Sequence, residues 1–366
     1  MSASAVKQNF KALILAGGKG TRLRPLTYAM AKQLVPVANK PILFYALDTL
    51  YNGGVRDYGI IISPETGDDI QAHVHRWKPD DVEITFITQN EPLGLAHAVK
   101  VAQPYLGDSK FIMYLGDNLI NADIGALIDA FVQDPSCDAS IMLKPVENPS
   151  AFGVAELDSN GNVTQLVEKP EHPKSDLAMI GVYLFTPKIF EAIAKIKPSW
   201  RGELEITDAI QKLIDDQGHV KASIYQSWWL DTGKKDDLLA ANRTVLGEFL
   251  KSENKGTVDE KTTLSGIVSV GKNAELTNCV VTGPVQIGAY CRIANTTIGP
   301  YTSIGDACEI TNSQLENSVL LENCVLEDIS GKVENSLLGK GCRLVKAPAT
   351  ESHQFLLADH SEVQVR

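Results

Sequence analysis

Between residues 11 and 145, short runs of aliphatic and β-branched residues alternate with stretches of helical period. Lys11–Ala16, Tyr58–Ser63, Val82–Thr88, Lys110–Leu115 and Ala139–Leu143 read as strands. Ile42–Tyr51, Thr66–Arg76, Leu95–Pro104 and Ile124–Phe131 read as the helices between them. Most of the strand runs are nearly continuous in apolar residues. Such strands are buried on both faces, which predicts a parallel sheet covered by helices.

Beyond Phe152 the rhythm changes. Val154–Leu157 and Val163–Lys169 flank Asp158-Ser159-Asn160-Gly161, a hairpin signal with an Asn-Gly turn. A strand at Ala178–Phe185 follows, then helices at Lys188–Ile196 and Thr207–Ile214. Asp231-Thr232-Gly233 precedes a helix ending near Leu250. This half reads as an α+β lobe packed on the first, and polar Ser252–Gly256 reads as a linker.

A third pattern begins after the linker. Aliphatic residues recur every six positions: Leu264, Val270 and Leu276, then Ile287 and Ile293, then Ile298, Ile304 and Ile310. Small residues such as Ala274, Cys291, Thr297, Thr302 and Cys308 stand four places later, and Gly271, Gly288, Gly299 and Gly305 directly follow an aliphatic residue. No helix repeats every six residues. The pattern predicts a parallel β-helix in which each hexapeptide is a short strand and a corner. The fold class is therefore α/β, a Rossmann-like mostly parallel sheet covered by helices, followed by a parallel β-helix of the left-handed type. The expected organisation is a flexible tail over residues 1–10, a sheet-and-helix domain over 11–251, a hexapeptide domain over 257–345 and a C-terminal tail over 346–366.

Charge narrows the chemistry. The 366 residues carry a net charge of −11, but the first 47 hold seven Lys or Arg and no Asp or Glu. A cationic zone on an acidic chain suits a small anionic ligand and disfavours nucleic acid or an anionic membrane as the main partner. No apolar run approaches membrane-spanning length, and the N-terminal stretch lacks the apolar core of an export signal, so a cytoplasmic protein with reduced thiols is expected. Five of the six cysteines (Cys279, Cys291, Cys308, Cys324 and Cys342) fall in the repeat region, 12 to 18 residues apart and close to one turn of three hexapeptides. They read as small buried side chains stacked in a solenoid, since free cysteine packs as a small hydrophobe.

Ligands of doubly wound sheets bind beyond the carboxyl ends of the strands. The loop after the first predicted strand is Gly17-Gly18-Lys19-Gly20-Thr21-Arg22-Leu23-Arg24-Pro25. Its glycines let backbone N–H groups approach a bulky anion, and its cations suit a polyphosphate. It has neither the GK[ST] ending of a Walker A motif nor GxGxxG spacing. Gln89-Asn90-Glu91 follows the third strand and Gly116-Asp117-Asn118 the fourth.

The segment LAGGKGTRLRPLT resembles the signature of nucleotidyltransferases that act on sugar 1-phosphates. Ala31–Leu47, Leu93–Ala98, Tyr114–Asn118, Phe152–Asp158, Val167–Pro170, Arg201–Ile210 and Trp229–Gly233 are similar, in order, to the glucose-1-phosphate thymidylyltransferase family. The hexapeptide extension resembles its long form. His97 departs from some relatives within Leu93–Ala98. The resemblance implies a nucleoside triphosphate and a sugar 1-phosphate as substrates, Mg²⁺ as cofactor, and attack of a sugar-phosphate oxygen on the α-phosphorus with pyrophosphate leaving. Such a nucleophile is already an anion, so catalysis is positioning and charge neutralisation.

Carried onto this chain, the resemblance makes Arg22, Lys32 and Asp117 catalytic, with Asp117 and Asp231 as metal ligands. It places Leu15, Gly17, Gly18, Gly20, Thr21, Gln33, Gln89 and Gly94 on the nucleotide, Gly94 leaving room for the base against backbone. Gly153, Glu168, Lys169, Arg201 and Glu203 fall to the sugar phosphate. Thr207 and Asp208 read equally well as helix-start residues, and Gln89 alone would read as a loop-capping amide.

Three other readings compete: a uridylyltransferase, a bifunctional enzyme with an acetyltransferase solenoid, and a non-catalytic nucleotide-sugar sensor. Acetyl transfer usually needs a histidine base, and residues 257–345 contain none. A solenoid offers flat faces for subunit packing, which makes a homo-oligomer the expectation.

Overall fold

The computed structural model describes residues 10–346. Both tails lie outside the described residues, except Phe10, which is buried, and Lys346. Contacts divide these residues into two compact units: 10–19 with 43–230, and 20–42 with 231–346. The glycine-rich loop thus passes from one unit to the other between Lys19 and Gly20.

The first unit is built on nine strands: β1 (Lys11–Leu15), β2 (Asp57–Ile62), β3 (Glu83–Thr88), β4 (Phe111–Leu115), β5 (Ala139–Pro145), β6 (Gly153–Leu157), β7 (Val163–Glu168), β8 (Leu177–Phe185) and β9 (Val220–Ile224). Their order is β7-β6-β8-β4-β1-β2-β3, with β5 joining β8 and β9 joining β5. The run β4-β1-β2-β3 is parallel, as the apolar pattern predicts. The helices between the strands are α1 (Ile42–Asn52), α2 (Gly67–Trp77), α3 (Leu95–Val101), α4 (Gln103–Leu106), α5 (Ile124–Gln133), α6 (Lys188–Ile193) and α7 (Ile206–Asp215). Leu13, Phe111 and Met113 pack on one face with residues of α3, α6 and α7. Ala12, Ile14, Ile112 and Tyr114, one residue out of phase, are equally buried. Both faces of the central strands are therefore covered.

One expectation is corrected here, and one strand is added. Residues beyond 152 do not form a separate lobe, because β8 pairs antiparallel with β4 and continues the same sheet. The nine residues of β8 are apolar except for Gly181, and all but the first are buried. Such a strand belongs in a sheet interior. Strand β9, Val220–Ile224, went unread in the sequence because the alternation of VKASI is short and only Val220 is buried.

In the second unit the repeat forms a solenoid of three parallel sheets with six, six and five short strands. Stacked positions lie one coil apart, as in Leu276, Ile293, Ile310, Leu326 and Leu344. The glycines after aliphatic residues have a steric reason. A Cβ on Gly271 would lie 2.4 Å from the carbonyl carbon of Gly288, and one on Gly288 would lie 2.6 Å from that of Gly305. Corners fall on left-handed residues, among them Asn278, Asn295 and Asn312, where asparagine is the best non-glycine choice. Asn278 donates to Asn295 across one coil at 2.8 Å. This 17-residue asparagine spacing was a signal the hexapeptide reading did not use.

Cys279, Cys291, Cys308 and Cys324 are buried and Cys342 half-buried, all as free thiols. Cys291, Cys308 and Cys324 each donate to a carbonyl of the next coil, which matches the stacked-core reading. Leu264 departs from its pattern at 37% exposed, because its strand has a neighbouring coil on only one side. The segment read as a linker also carries a solenoid strand, Glu253–Asn254, paired with Val268–Val270.

Helix α8 (Lys235–Phe249) packs against this solenoid through Leu239, which meets Val319, Leu321 and Leu337 together with Leu26 and Met30 of the glycine-rich segment.

Candidate active site

In the first unit the parallel strands place their carboxyl ends along one edge. Leu15 ends β1, and its carbonyl accepts from the Gly116 N–H at 3.0 Å. A Cβ on Gly116 would stand 2.9 Å from that oxygen, so glycine brings the two strand ends together and presents Asp117 beside them. Asp117 accepts from Asn118 Nδ2 at 2.9 Å. Asn118 is buried and accepts from Trp229 Nε1 at 2.5 Å, while Phe152 packs edge-on against Trp229. The Asp117 side chain is thus held from beneath by a buried amide and an indole. Gly17 runs close to the β2 end, where a Cβ would lie 3.4 Å from Ser63 N. Gly18 is exposed.

A second group gathers on the same edge. Register pairs Gly153, at the start of β6, with Glu168, at the end of β7. A Cβ on Gly153 would meet Thr207 Oγ1 at 2.9 Å and Glu168 Oε2 at 3.1 Å. The Thr207 hydroxyl donates to Glu168 Oε2 at 2.5 Å. Arg201 reaches three carboxylates: Glu203 at 2.9 Å, Glu205 at 3.4 Å and Glu168 at 3.6 Å. Lys169, in a left-handed conformation, lies 3.7 Å from Glu168.

All five residues expected on the sugar phosphate therefore lie together. Thr207, Asp208 and buried Glu205 join them, and the sequence reading ranked that stretch lower because its residues double as helix-start signals. Burial raises the Glu205 carboxyl above its usual range, with the Ser199 hydroxyl bond opposing. Asp208 is raised by burial and by the charge of Glu168.

Gly94 is required by the packing of the loop itself. At φ +103° its Cβ direction points at the Leu204 carbonyl oxygen, 2.4 Å away. Leu204 N–H donates to Leu93 O, and Ala96 N–H to Leu204 O. This glycine docks two loops backbone to backbone, and its side-chain position is filled rather than open. Gln89 Nε2 donates to Gly94 O at 3.3 Å and lies 2.9 Å from His97 Nδ1, so it does cap the loop.

In the second unit, Gly20 adopts φ +59°, and a Cβ there would lie 2.8 Å from Lys32 Cβ. The turn lets buried Lys32 pack across the loop, and Thr27 Oγ1 closes it on Gly20 O at 2.7 Å. Lys32 Nζ stands 3.8 Å from Asp231. Exposed Arg22, beside exposed Thr21, lies against Gly233, where a Cβ would be 3.3 Å from the guanidinium. Gln33 is buried, and its Oε1 has no hydrogen-bond partner among the described residues.

Matches to known proteins place the chain in a family. The family model described as Nucleotidyl transferase matches residues 11–248. This chain belongs to that family. It is 48% identical over 357 residues, covering 97% of this chain and 99% of the relative, to a glucose-1-phosphate thymidylyltransferase of Streptomyces antibioticus. It is 42% identical to a low-salt glycan biosynthesis nucleotidyltransferase of Haloferax volcanii, over 97% of this chain and all of that one. Among solved structures it is similar to one assigned as a glucose-1-phosphate thymidylyltransferase of Bacillus anthracis in complex with sucrose. That match has a TM-score of 0.60 and 32% identity, covering 67% of this chain and 98% of the other.

Proposed function

We propose that this chain transfers the thymidylyl group of dTTP to glucose 1-phosphate, giving dTDP-glucose and pyrophosphate. The observation that carries the reading is the near full-length similarity to glucose-1-phosphate thymidylyltransferases, solenoid included. A phosphate oxygen of the sugar phosphate attacks the α-phosphorus, and the bond to the bridging oxygen of pyrophosphate breaks. No enzyme nucleophile is required, which agrees with a site made of cations, carboxylates and backbone.

In this reading the backbone of Gly17, Gly18, Gly20 and Thr21 follows the triphosphate, with Arg22 and Lys32 neutralising its charge. Lys32 is well suited because burial removes the water that would screen it. Gln33 and Gln89 read the base, and Leu15 borders it. Glu168 accepts from sugar hydroxyls, beside the main chain of Gly153, while Arg201 and Lys169 receive the sugar's phosphate. Glu203 holds Arg201 in place.

Asp117 and Asp231 are the residues that would hold Mg²⁺. Among the described residues no group of three or more His, Cys, Asp and Glu is arranged as a metal site. Mg²⁺ commonly takes one or two carboxylates and completes its shell with phosphate and water, so single hard-oxygen donors fit it. When bound, it would neutralise charge on the phosphates.

The chain's thiols are free, and no described helix is long and apolar enough to cross a membrane. Both are compatible with a cytoplasmic enzyme, and the solenoid faces support a homo-oligomer, measurable by light scattering. The deciding experiment follows pyrophosphate release with glucose 1-phosphate and each of dTTP, UTP, dCTP, ATP and GTP, with and without Mg²⁺. Release fastest with dTTP and dependent on Mg²⁺ is expected. Release with none of the five would remove the reading.

A further inference from the structure

We propose that His97 is a positioning residue that fixes the Gln89 amide in one orientation and thereby makes the site select bases carrying an N–H at their pairing edge. The inference rests on the reading of Gln89 as a base contact, and adds what that contact selects.

The argument is one of donors and acceptors. The Gln89 backbone is anchored by its N–H on Ile62 O at 2.9 Å. Its side-chain nitrogen faces two groups, Gly94 O at 3.3 Å and His97 Nδ1 at 2.9 Å. A carbonyl oxygen can only accept, so the amide end toward Gly94 must be the NH₂ group; the reversed amide would set oxygen against oxygen. Gly94 O itself is fixed, because the loop is clamped on Leu204. One NH₂ hydrogen goes to Gly94 O and the other to His97. Nδ1 must then carry a lone pair, which makes His97 neutral with its proton on Nε2. Burial lowers the His97 pKa, Lys100 lowers it further, and Glu91 opposes them, so the neutral ring is favoured.

With both hydrogens spent inside the protein, the amide has only Oε1 to offer, and Oε1 has no hydrogen-bond partner among the described residues. Oε1 accepts and cannot donate. Thymine and uracil present N3–H there, whereas cytosine presents a bare N3. An unconstrained glutamine could turn its NH₂ outward and accept cytosine equally well. His97 and Gly94 together remove that option. The device does not separate thymine from uracil, which differ at C5.

The test measures dTTP and dCTP affinity by calorimetry in the presence of Mg²⁺, so that base selection is read without turnover. His97→Leu removes the acceptor and is expected to shrink the dTTP-to-dCTP affinity ratio by about tenfold or more, a hydrogen bond's worth of discrimination. His97→Gln restores an acceptor that does not titrate and should recover most of the ratio. In the wild type, dTTP affinity should fall as pH drops through the His97 pKa, because protonated Nδ1 faces the NH₂ group; His97→Gln should lose that acid limb. Equal affinity for the two nucleotides in the wild type, an unchanged ratio in His97→Leu, or an acid limb that persists in His97→Gln would overturn the assignment. Intact discrimination without pyrophosphate release would instead sink the proposed reaction and leave this inference standing.

Discussion

The charged cluster around Arg201 in the first unit and the one around Lys32 in the second satisfy their charges in opposite ways. Arg201 is surrounded by three carboxylates within 3.6 Å, and Glu168 is held in turn by Thr207. The group is a closed network on strand ends and a helix start, ordered by its own contacts. Lys32 is buried with Asp231 at a loose 3.8 Å, and Arg22, earlier in the same segment, is exposed. Its loop is shaped by a left-handed glycine and backed by α8 and the solenoid. A neutral sugar with one phosphate suits a network of directional hydrogen bonds. A triphosphate calls for cationic side chains close to its path, and the second cluster presents Lys32 and Arg22 on one short segment.

That contrast can be broken by substitution. The largest effect is expected in the second cluster, where charge neutralisation in the transition state is at stake. Lys32→Ala or Asp231→Asn should lower kcat/KM for dTTP by roughly 10²–10³, with circular dichroism unchanged; near-normal turnover would remove both residues from the chemistry. In the first cluster the loss should appear against the other substrate. Arg201→Ala should raise KM for glucose 1-phosphate by about 10- to 100-fold, the scale of one charge-assisted bond. Thr207→Val should cost about tenfold or less, because it leaves Glu168 in place without its hydroxyl partner. A KM shift confined to dTTP in either variant would contradict the division of labour.

A smaller effect probes what stands behind the second cluster. Asn242 of α8 is buried, accepts from Ala38 N–H and Ser303 Oγ, and donates to the Tyr301 carbonyl. Asn242→Ala strands those groups and should cost about 2–3 kcal/mol. Thermal unfolding would show it as a Tm lowered by several degrees. If the tie matters for the loop as well, kcat for dTTP falls with it while KM for glucose 1-phosphate stays level. The least consequential charges are on the solenoid surface: Lys332, between Glu316 and Glu334, should be replaceable by Ala with no measurable change in Tm.

Much of the architecture is legible in the sequence because burial leaves a period. The parallel strands announce themselves as apolar runs, and the solenoid as a six-residue beat with glycines where coils touch. What escaped had no period of its own. Strand β9 is too short and half exposed, and β8 reads correctly as a strand while nothing local says it inserts antiparallel beside β4. The candidate residues divide the same way. Asp117 stands out at a strand end after a glycine. The reason for Gly94 does not, since only folding brings Leu204 against it.

The amino-acid sequence by itself determined which residue types are available and which face of each strand or coil is buried, because those follow from side-chain polarity and the fixed geometry of extended chain. The tertiary structure alone decided that Thr207 bonds Glu168, that Arg201 meets three carboxylates and that His97 turns the Gln89 amide. Glu203 and Glu205 are near Arg201 in sequence, but Glu168 is distant from both Arg201 and Thr207, and its contacts with them depend on a few tenths of an ångström that only the packed fold can set.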